Sequence, residues 1–425
     1  MGAIDEVRVS KTRRSDAWIA ACYLSQSPDL PQSDGLLQYG SIETLHKNWL
    51  AGWRQRRKIT VDGSQIDAPL TNFPLLVRLD ENNFNFETSH PDGYDVRFTN
   101  EDGATLMPHE RELHDSSART ASYWVRVPEV ASGEDTVIYV YGDNDDASDG
   151  SYAAGVWAEH QYSVYHLSST NGVTQGDSST TGKPLNLYGS PSEGEAGVIS
   201  RCVRLAGSPQ YMATPSFPNI DTTLGLTLSG WFSATFHRKM IFLGGGGNWS
   251  PYYHASLEGN ETTGRLIGSA SGGTGNSSLK PDYGPFAKGV WTHVAMSVYY
   301  DSSLDQSQGR MYFNGTEVTN VVVAGRAIRN PFTSRPLVIG AEPNKIWPPN
   351  APLFSIRGWW TKCAYARSAA LPHGSEPRTT TKRLTAHCCR SAASSRPPER
   401  LCRSGNVDLM SSNPASTTWL CREAS

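Results

Sequence analysis

GAIDEVRVSKTRRSDAWIAACYLSQ, residues 2–26, is the stretch on which the reading of this chain turns. From Ala3 to Val9 it alternates Ile4, Val7 and Val9 with charge, the pattern of a short strand. Ser15-Asp16 then offers an N-cap for a helical turn through Ala17, Ile19, Ala20 and Ala21. The same segment recurs, out of frame, near the far end. Gly358-Trp-Trp-Thr-Lys-Cys-Ala364 must be encoded by GGN TGG TGG ACN AAR TGY GCN. Read from the third base of the glycine codon, these codons give [Leu/Met/Val]-Val-Asp-[Lys/Glu/Gln]-[Val/Met]-[Arg/Cys], which permits V-D-E-V-R. Continued without gaps, the shifted frame permits Trp opposite Trp18, Ile opposite Ile19, Ala opposite Ala21, Tyr opposite Tyr23 and Gln opposite Gln26. Only the Val-Asp pair is forced, and Ser10, Thr12, Asp16, Leu24 and Ser25 are not reproduced. The expectation is a single repeat unit, entered at the tail of a preceding unit and left through a frameshift near Gly358. The alternative is a genuine tail and a chance match.

Composition points the same way. With 39 Gly, 26 Pro, 12 Trp and 18 Tyr in 425 residues, the chain suits strands and turns rather than helical bundles, and it is long enough for two or three cores. Residues 357–425 hold 11 Lys+Arg against 4 Asp+Glu, so the rest is more acidic than the net charge of -3 indicates. That disfavours nucleic acid, which needs a basic face. Five of the seven cysteines lie beyond Arg357. Cys22 and Cys202 are no disulfide framework, and the spacing of the others fits no zinc pattern. No apolar run is long enough to span a membrane, and Met1 opens no signal peptide.

Along the chain, residues 27–48 lack periodicity and read as a linker. Short strands follow at Arg57–Val61, Phe73–Leu79, Val96–Thr99, Ser122–Val127 and Thr136–Tyr141, each bounded by turn residues. After a Gly/Ser/Thr-rich passage they resume at Val198–Leu205, Leu226–Phe232, Lys239–Leu243, Gly264–Ile267, Trp291–Tyr299, Gly309–Phe313 and Pro336–Ile339. Asn314-Gly315 between apolar alternations predicts a type I′ hairpin. Beyond Trp359 no pattern survives, and the tail is expected to be disordered and to pack against nothing.

Two resemblances organise these strands. W-R-x-R-R-K-I-T-V (Trp53–Val61), N-F-P-L-L-V-R-L (Asn72–Leu79), D-V-R-F-T-N-E-D-G (Asp95–Gly103), Y-W-V-R-V-P (Tyr123–Pro128), V-Y-G-D (Val140–Asp143) and V-W-A-E-H-Q-Y-S-V-Y-H-L (Val156–Leu167) together resemble a bacterial domain family of unknown function, which typically precedes a laminin G-like jelly roll in large surface proteins. L-T-L-S-G-W-F (Leu226–Phe232), W-T-H-V-A-M (Trp291–Met296), R-M-Y-F-N-G (Arg310–Gly315) and L-V-I-G (Leu337–Gly340) resemble a concanavalin A-like, laminin G-like jelly roll. In that family the closing strand carries D-E-V-R, which stands here at residues 5–8. The resemblances imply an all-β chain of two antiparallel β-sandwiches, the second a concanavalin A-like jelly roll. The divisions are 1–26, the tail strand and helical turn of a preceding jelly roll; 27–48, a linker; 49–167, the sandwich of unknown function; 168–357, the jelly roll; and 358–425, the frameshifted tail. A jelly roll that has lost its closing strand keeps an open edge. Ile4–Val9 is therefore expected to reach back and complete it, the alternatives being a stub docked on the first sandwich or free in solvent.

Chemistry is sparse. The jelly-roll resemblance invites glycosidase activity, yet the E-x-D-x-E motif of its glucanase branch is absent. Glu110 and Glu112 in H-E-R-E-L-H (His109–His114) are the nearest carboxylate pair and read as part of a solvated strand. The same hexapeptide misses the zinc-binding H-E-x-x-H spacing by one residue. Gly244–Gly247 lacks the Lys-Ser/Thr of a phosphate loop. Asp143 and Asp145, in D-N-D-D-A-S-D, and Asp301 and Asp305 are candidate calcium ligands, against the plainer reading of polar connections. Trp249, Tyr252, Tyr253 and His254 follow the glycine run in an expected loop and are candidates for a carbohydrate platform, because sugar C–H faces pack on rings. Equally, Tyr252 and Tyr253 could belong to a strand. The expectation is a non-enzymatic, extracellular or cell-surface binding or adhesion module with a glycan or a cell-surface protein as partner. No cofactor other than calcium is implied. A structural spacer repeat is the alternative, and a carbohydrate-active enzyme comes third.

Overall fold

The computed structural model describes residues 2–28, 35–44, 49–207, 209–215, 224–234, 239–244, 253–260, 265–272, 278–279, 282–284, 287, 289–324 and 337–341. The chain opens with strand β1 (Gly2–Ser10) and helix α1 (Asp16–Gln26). The Ser15 hydroxyl accepts the Trp18 N–H at 3.2 Å, the expected N-cap, and the helix runs for three turns rather than one.

The first sandwich comprises β2 (Leu37–Thr44), β3 (Gln55–Val61), β4 (Leu70–Asp80), β5 (Arg97–Asn100), β6 (His109–Asp115), β7 (Thr120–Val130) and β8 (Thr136–Gly142). They form two antiparallel sheets, ordered β2-β3-β8-β5 and β4-β7-β6. Period-two alternation sends Phe73, Leu75, Val77 and Leu79 of β4 and Tyr123, Val125 and Val127 of β7 into a core with Ile59, Val61, Phe98, Ile138 and Val140. Two expectations fail here. The presumed linker contains β2, paired with β3 from Leu37↔Val61 to Thr44↔Gln55; as a mostly exposed edge strand it turns only Leu37 and Tyr39 onto the core, too short an alternation to show in the sequence. The H-E-R-E-L-H strand, β6, is not solvated: Glu110 is 9 % exposed and the Glu112 side chain is fully buried.

After the short helix α2 (Ala153–Val156) come β9 (Gln161–Tyr165), β10 (Thr174–Gln175), β11 (Leu185–Tyr188), β12 (Ser192–Ala196), β13 (Arg201–Leu205), β14 (Tyr211–Ala213), β15 (Leu226–Ala234) and β16 (Lys239–Gly244). The last are β17 (Tyr253–Asn260), β18 (Arg265–Gly272), β19 (Ser278–Leu279), β20 (Asp282–Tyr283), β21 (Thr292–Asp301), β22 (Gln306–Phe313), β23 (Thr316–Ala324) and β24 (Leu337–Ile339). One sheet of the second sandwich runs β10-β11-β14-β24-β16-β17-β18-β19 with β20 beside β18. The other runs β12-β13-β1-β15-β21-β22-β23, with β9 also on β1. The β22–β23 hairpin closes at Phe313↔Thr316 with φ of 45° at Asn314 and 78° at Gly315, the positive pair that a type I′ turn requires.

β1 thus sits inside the jelly-roll sheet, as expected for a strand reaching back. It pairs with β15 from Gly2↔Ala234 to Ser10↔Thr227. On its other side it pairs first with β13, Ile4↔Val203, and then with β9, Val7↔Tyr165. The changeover coincides with a bulge between Asp5 and Arg8, where Glu6 takes φ of 50°. The bulge has a purpose legible in the spacing. Ile4 and Val7 are three apart and would face opposite sides of a regular strand; one extra residue returns both to the same core. There they join Val9, Leu226, Leu228, Phe232, Met296 and Ile339. β9, which the resemblance places in the first sandwich, belongs to this sheet.

The outer face of β4-β7-β6 packs on the outer face of the β1 sheet through Leu76, Trp124, Trp157, Val164, Val198, Ile199 and Trp231. Helix α1 is wedged at the same seam: Trp18 meets Phe73 edge-on at 5.0 Å, while Ile19 packs on Ala295 and Tyr312 of the jelly roll.

Candidate functional site

The concentration of chemistry lies in that seam, where the D-E-V-R motif of β1 meets Glu110 and Glu112 of β6 and His166 just after β9. Ile4, Val7 and Val9 face the jelly-roll core, so alternation turns Asp5 and Arg8 toward the first sandwich. The Arg8 guanidinium lies between the rings of Trp124 and Trp157, at 4.4 and 4.8 Å from their centroids, and its Nε donates to Glu6 Oε1 at 2.8 Å. Glu6 Oε2 faces His166 Nδ1 at 2.6 Å, and His166 Nε2 faces Glu110 Oε2 at 3.1 Å. The imidazole is stacked on Trp124 with rings 17° apart. Glu110 also accepts from Trp157 Nε1 and from the Ser178 hydroxyl at 2.6 Å. Glu112 accepts from Trp124 Nε1 at 2.7 Å and from the Ser200 hydroxyl at 2.6 Å. Asp5 Oδ2 accepts the N–H groups of Val198 and Ile199 at 2.6 and 3.1 Å, fixing the turn into β13.

The protonation pattern follows from these neighbours. Burial alone would push His166 down, but Glu6, Glu110 and Glu112 outweigh it and raise the imidazole well above its usual range. Both ring nitrogens face carboxylates, as an imidazolium needs. Burial raises Glu6 and Glu110 less than their cationic neighbours lower them, so both stay ionised. Burial pushes Asp5 and Glu112 up, and nearby carboxylates add to the push. Glu6 and Glu110, both lowered, are the acids that face Arg8 and His166 directly. Asp5 Oδ1 lacks a partner, a cost smaller for an acid than for a carboxylate.

This constellation holds β1 between the two sandwiches. Glu6, Glu112 and His166 could present ligand atoms within 4.8 Å of one another, but a cation there would have to displace the imidazolium proton. Each acid of β6 accepts from an indole N–H and a serine hydroxyl and is buried in the seam.

Of the residues singled out as calcium ligands or sugar platform, those that are described lie outside this cluster. Asp143 and Asp145 both accept from Arg54, and Asp143 takes φ of 66° after β8. Asp301 accepts the N–H groups of Ser303 and Leu304 at 2.9 and 3.3 Å, and Asp305 accepts the Tyr300 hydroxyl at 2.8 Å; both belong to the turn from β21 to β22. Tyr253 and His254 open strand β17, opposite Gly272 and Ser271, rather than a loop. Trp249, Tyr252 and the tail from 358 onward lie outside the described residues. Sequence reasoning missed the site because it took Glu110 and Glu112 as solvated; the signal was in Trp124, Trp157 and His166, too many polar-tipped rings for a surface without an acceptor beneath them.

Residues 92–172 match the family model described as Domain of unknown function (DUF2341), and residues 206–354 match that of the Concanavalin A-like lectin/glucanases superfamily. No curated protein and no solved structure matches the chain. The second match is to a superfamily that holds both lectins and glucanases and supports a carbohydrate-binding or structural module, and no helix among the described residues is long and apolar enough to cross a membrane. The chain thus carries a DUF2341 domain followed by a concanavalin A-like domain of the lectin and glucanase superfamily.

Proposed function

We propose that this chain is a non-catalytic structural module of an extracellular or cell-surface protein, its two sandwiches joined into one stiff body. The observation that carries the reading is the double use of β1: its inward face completes the jelly-roll core, while Asp5, Glu6 and Arg8 on the other side are held by groups of both sandwiches. A flexible tether would leave such a seam small and polar; here it holds Trp124, Trp157 and Trp231 together with buried charges of both signs, Trp18 being at its edge. Glycan recognition by the jelly roll is the second reading, favoured by the superfamily to which it belongs.

The full chain, labelled and applied to a glycan array and to a panel of polysaccharides, tests both. The structural reading expects no glycan retained and no sugar released. Retention lost on Trp249→Ala, with the circular dichroism spectrum unchanged, would replace it with the lectin-like reading, and turnover of any polysaccharide would overturn the non-catalytic one.

A further inference from the structure

We infer that the slot filled by residues 2–26 also accepts the same segment from a second copy of this chain, so that copies assemble by exchanging β1 and α1. The inference rests on the structural reading above and names its partner. It starts from topology. β1 completes a sheet whose other strands begin at Gln161, and the covalent path from β1 to that sheet runs through α1 and the whole first sandwich. No β1 partner is a sequence neighbour, so no hairpin ties the strand to its own chain.

The contacts also read the sequence of the segment rather than strand shape alone. Glu6 meets His166, Arg8 enters the Trp124–Trp157 slot, and Asp5 caps Val198 and Ile199. In α1, Gln26 Oε1 accepts from Trp231 Nε1 at 2.9 Å, while Asp16 accepts from Arg310 and from the Tyr312 hydroxyl at 2.8 and 2.6 Å. A segment from another copy would make every one of these bonds unchanged, which is the condition for low-cost exchange. The empty slot would be far costlier. β1 is an interior strand, and its loss exposes edges on β15, β13 and β9 at once and strands His166 among carboxylates; such edges recruit strands.

The register supplies the test. Ala3 and Ser233 are cross-strand partners, close enough for a disulfide once both are cysteine. Full-length Ala3→Cys/Ser233→Cys chains, light and isotopically heavy, are unfolded together, refolded over a range of concentrations, oxidised and digested. Exchange predicts peptides linking position 3 of one label to position 233 of the other, in a share that rises with concentration. Links confined to one label at every concentration would overturn exchange and leave the fused module standing. Folded chains without any 3–233 link would remove the placement of β1 itself, and the structural reading with it. If the double variant does not fold, unaltered light and heavy chains refolded together give mixed-label oligomers by native mass spectrometry if strands exchange, and monomers alone if they do not.

Discussion

The two sandwiches solve the same problem in different ways. The first is local: β2 to β8 all lie within residues 37–142, and each finds its sheet neighbours there. The second is not. Its sheet needs β1, and the strand that arrives has passed through the whole first sandwich to get there. The first sandwich closes its sheets on its own strands and borrows only the cover of α1, through Ala17, Trp18, Ala21 and Cys22; the second borrows a central strand. The family matches show the same tension, since the first runs to residue 172 and takes in β9, a strand that pairs with β1 in the second sandwich.

The sharpest way to break this contrast is Val7→Asp. Val7 is fully buried in the jelly-roll core, and an unpaired charge there is expected to cost about 5 kcal/mol or more. Native-state hydrogen exchange should then show protection lost in β13, β15 and β21 while β4 and β7 keep theirs. Equal loss in both sandwiches would mean that they unfold as one cooperative unit, and the distinction between a self-contained and a dependent sandwich would fall.

A second contrast sets charges at the seam against charges on the surface. Arg8→Ala empties the space between Trp124 and Trp157 and leaves Glu6 with His166 as its sole cationic partner, an effect of about 3–5 kcal/mol for a buried pair broken on one side. Arg119, which is half-exposed and bridges Glu81 and Glu87, should be replaceable by Ala with almost no change, because water already screens it. Denaturant midpoints of the two variants measure the difference. If they match, the seam cluster is no more than a surface network that happens to be covered.

Much of this architecture was legible because one face of each strand is apolar. Phe73 to Leu79 and Tyr123 to Val127 announce themselves by alternation, and Asn314-Gly315 names its own turn. The D-E-V-R motif gave the return of β1, since a jelly roll without its closing strand has an open edge to fill. β2 was missed, and β6 was read as a strand but a solvated one, for opposite reasons. β2 is an exposed edge with little to bury. β6 is polar on both faces, with His109 buried against Phe98 and Tyr123 and Glu110 and Glu112 buried in the seam. A strand that packs on both sides through polar groups has no alternation to read, so the site carried on it was misread as solvent-facing. The seam itself needed the fold, because Glu6, Glu112 and His166 come from three distant segments.

The smallest effect expected, and the one most specific to the seam, is in pH. His166 has a raised pKa when folded, so its contribution is complete below its ordinary value of 6.5 and is lost as pH rises toward the folded value. Asp5 and Glu112 are raised as well, by burial first, so above the ordinary carboxylate range they push stability in the same direction. Glu6 and Glu110 are lowered; their contribution is present above 4.5 and disappears in acid. Burial holds His109 and His114 at about 4 and His293 at about 3; these three are still restoring stability as pH rises through 6.5, where the unfolded imidazoles are half protonated, and add no slope from about a unit above it. Stability should therefore decline once those three are past their titration, from about a unit above pH 6.5 upward, with a slope from His166 of at most about 1.4 kcal/mol per pH unit. His166→Gln keeps one N–H donor but cannot carry the charge. It should be less stable than the unaltered chain at pH 6, and the gap should narrow as pH rises, because the unaltered chain loses what the variant never had. Urea titrations across the neutral and alkaline range measure that gap. A gap that stays constant from pH 6.5 upward would mean that the imidazole does not hold its extra proton between Glu6 and Glu110, and the seam would then be a set of hydrogen bonds without a charge at its centre.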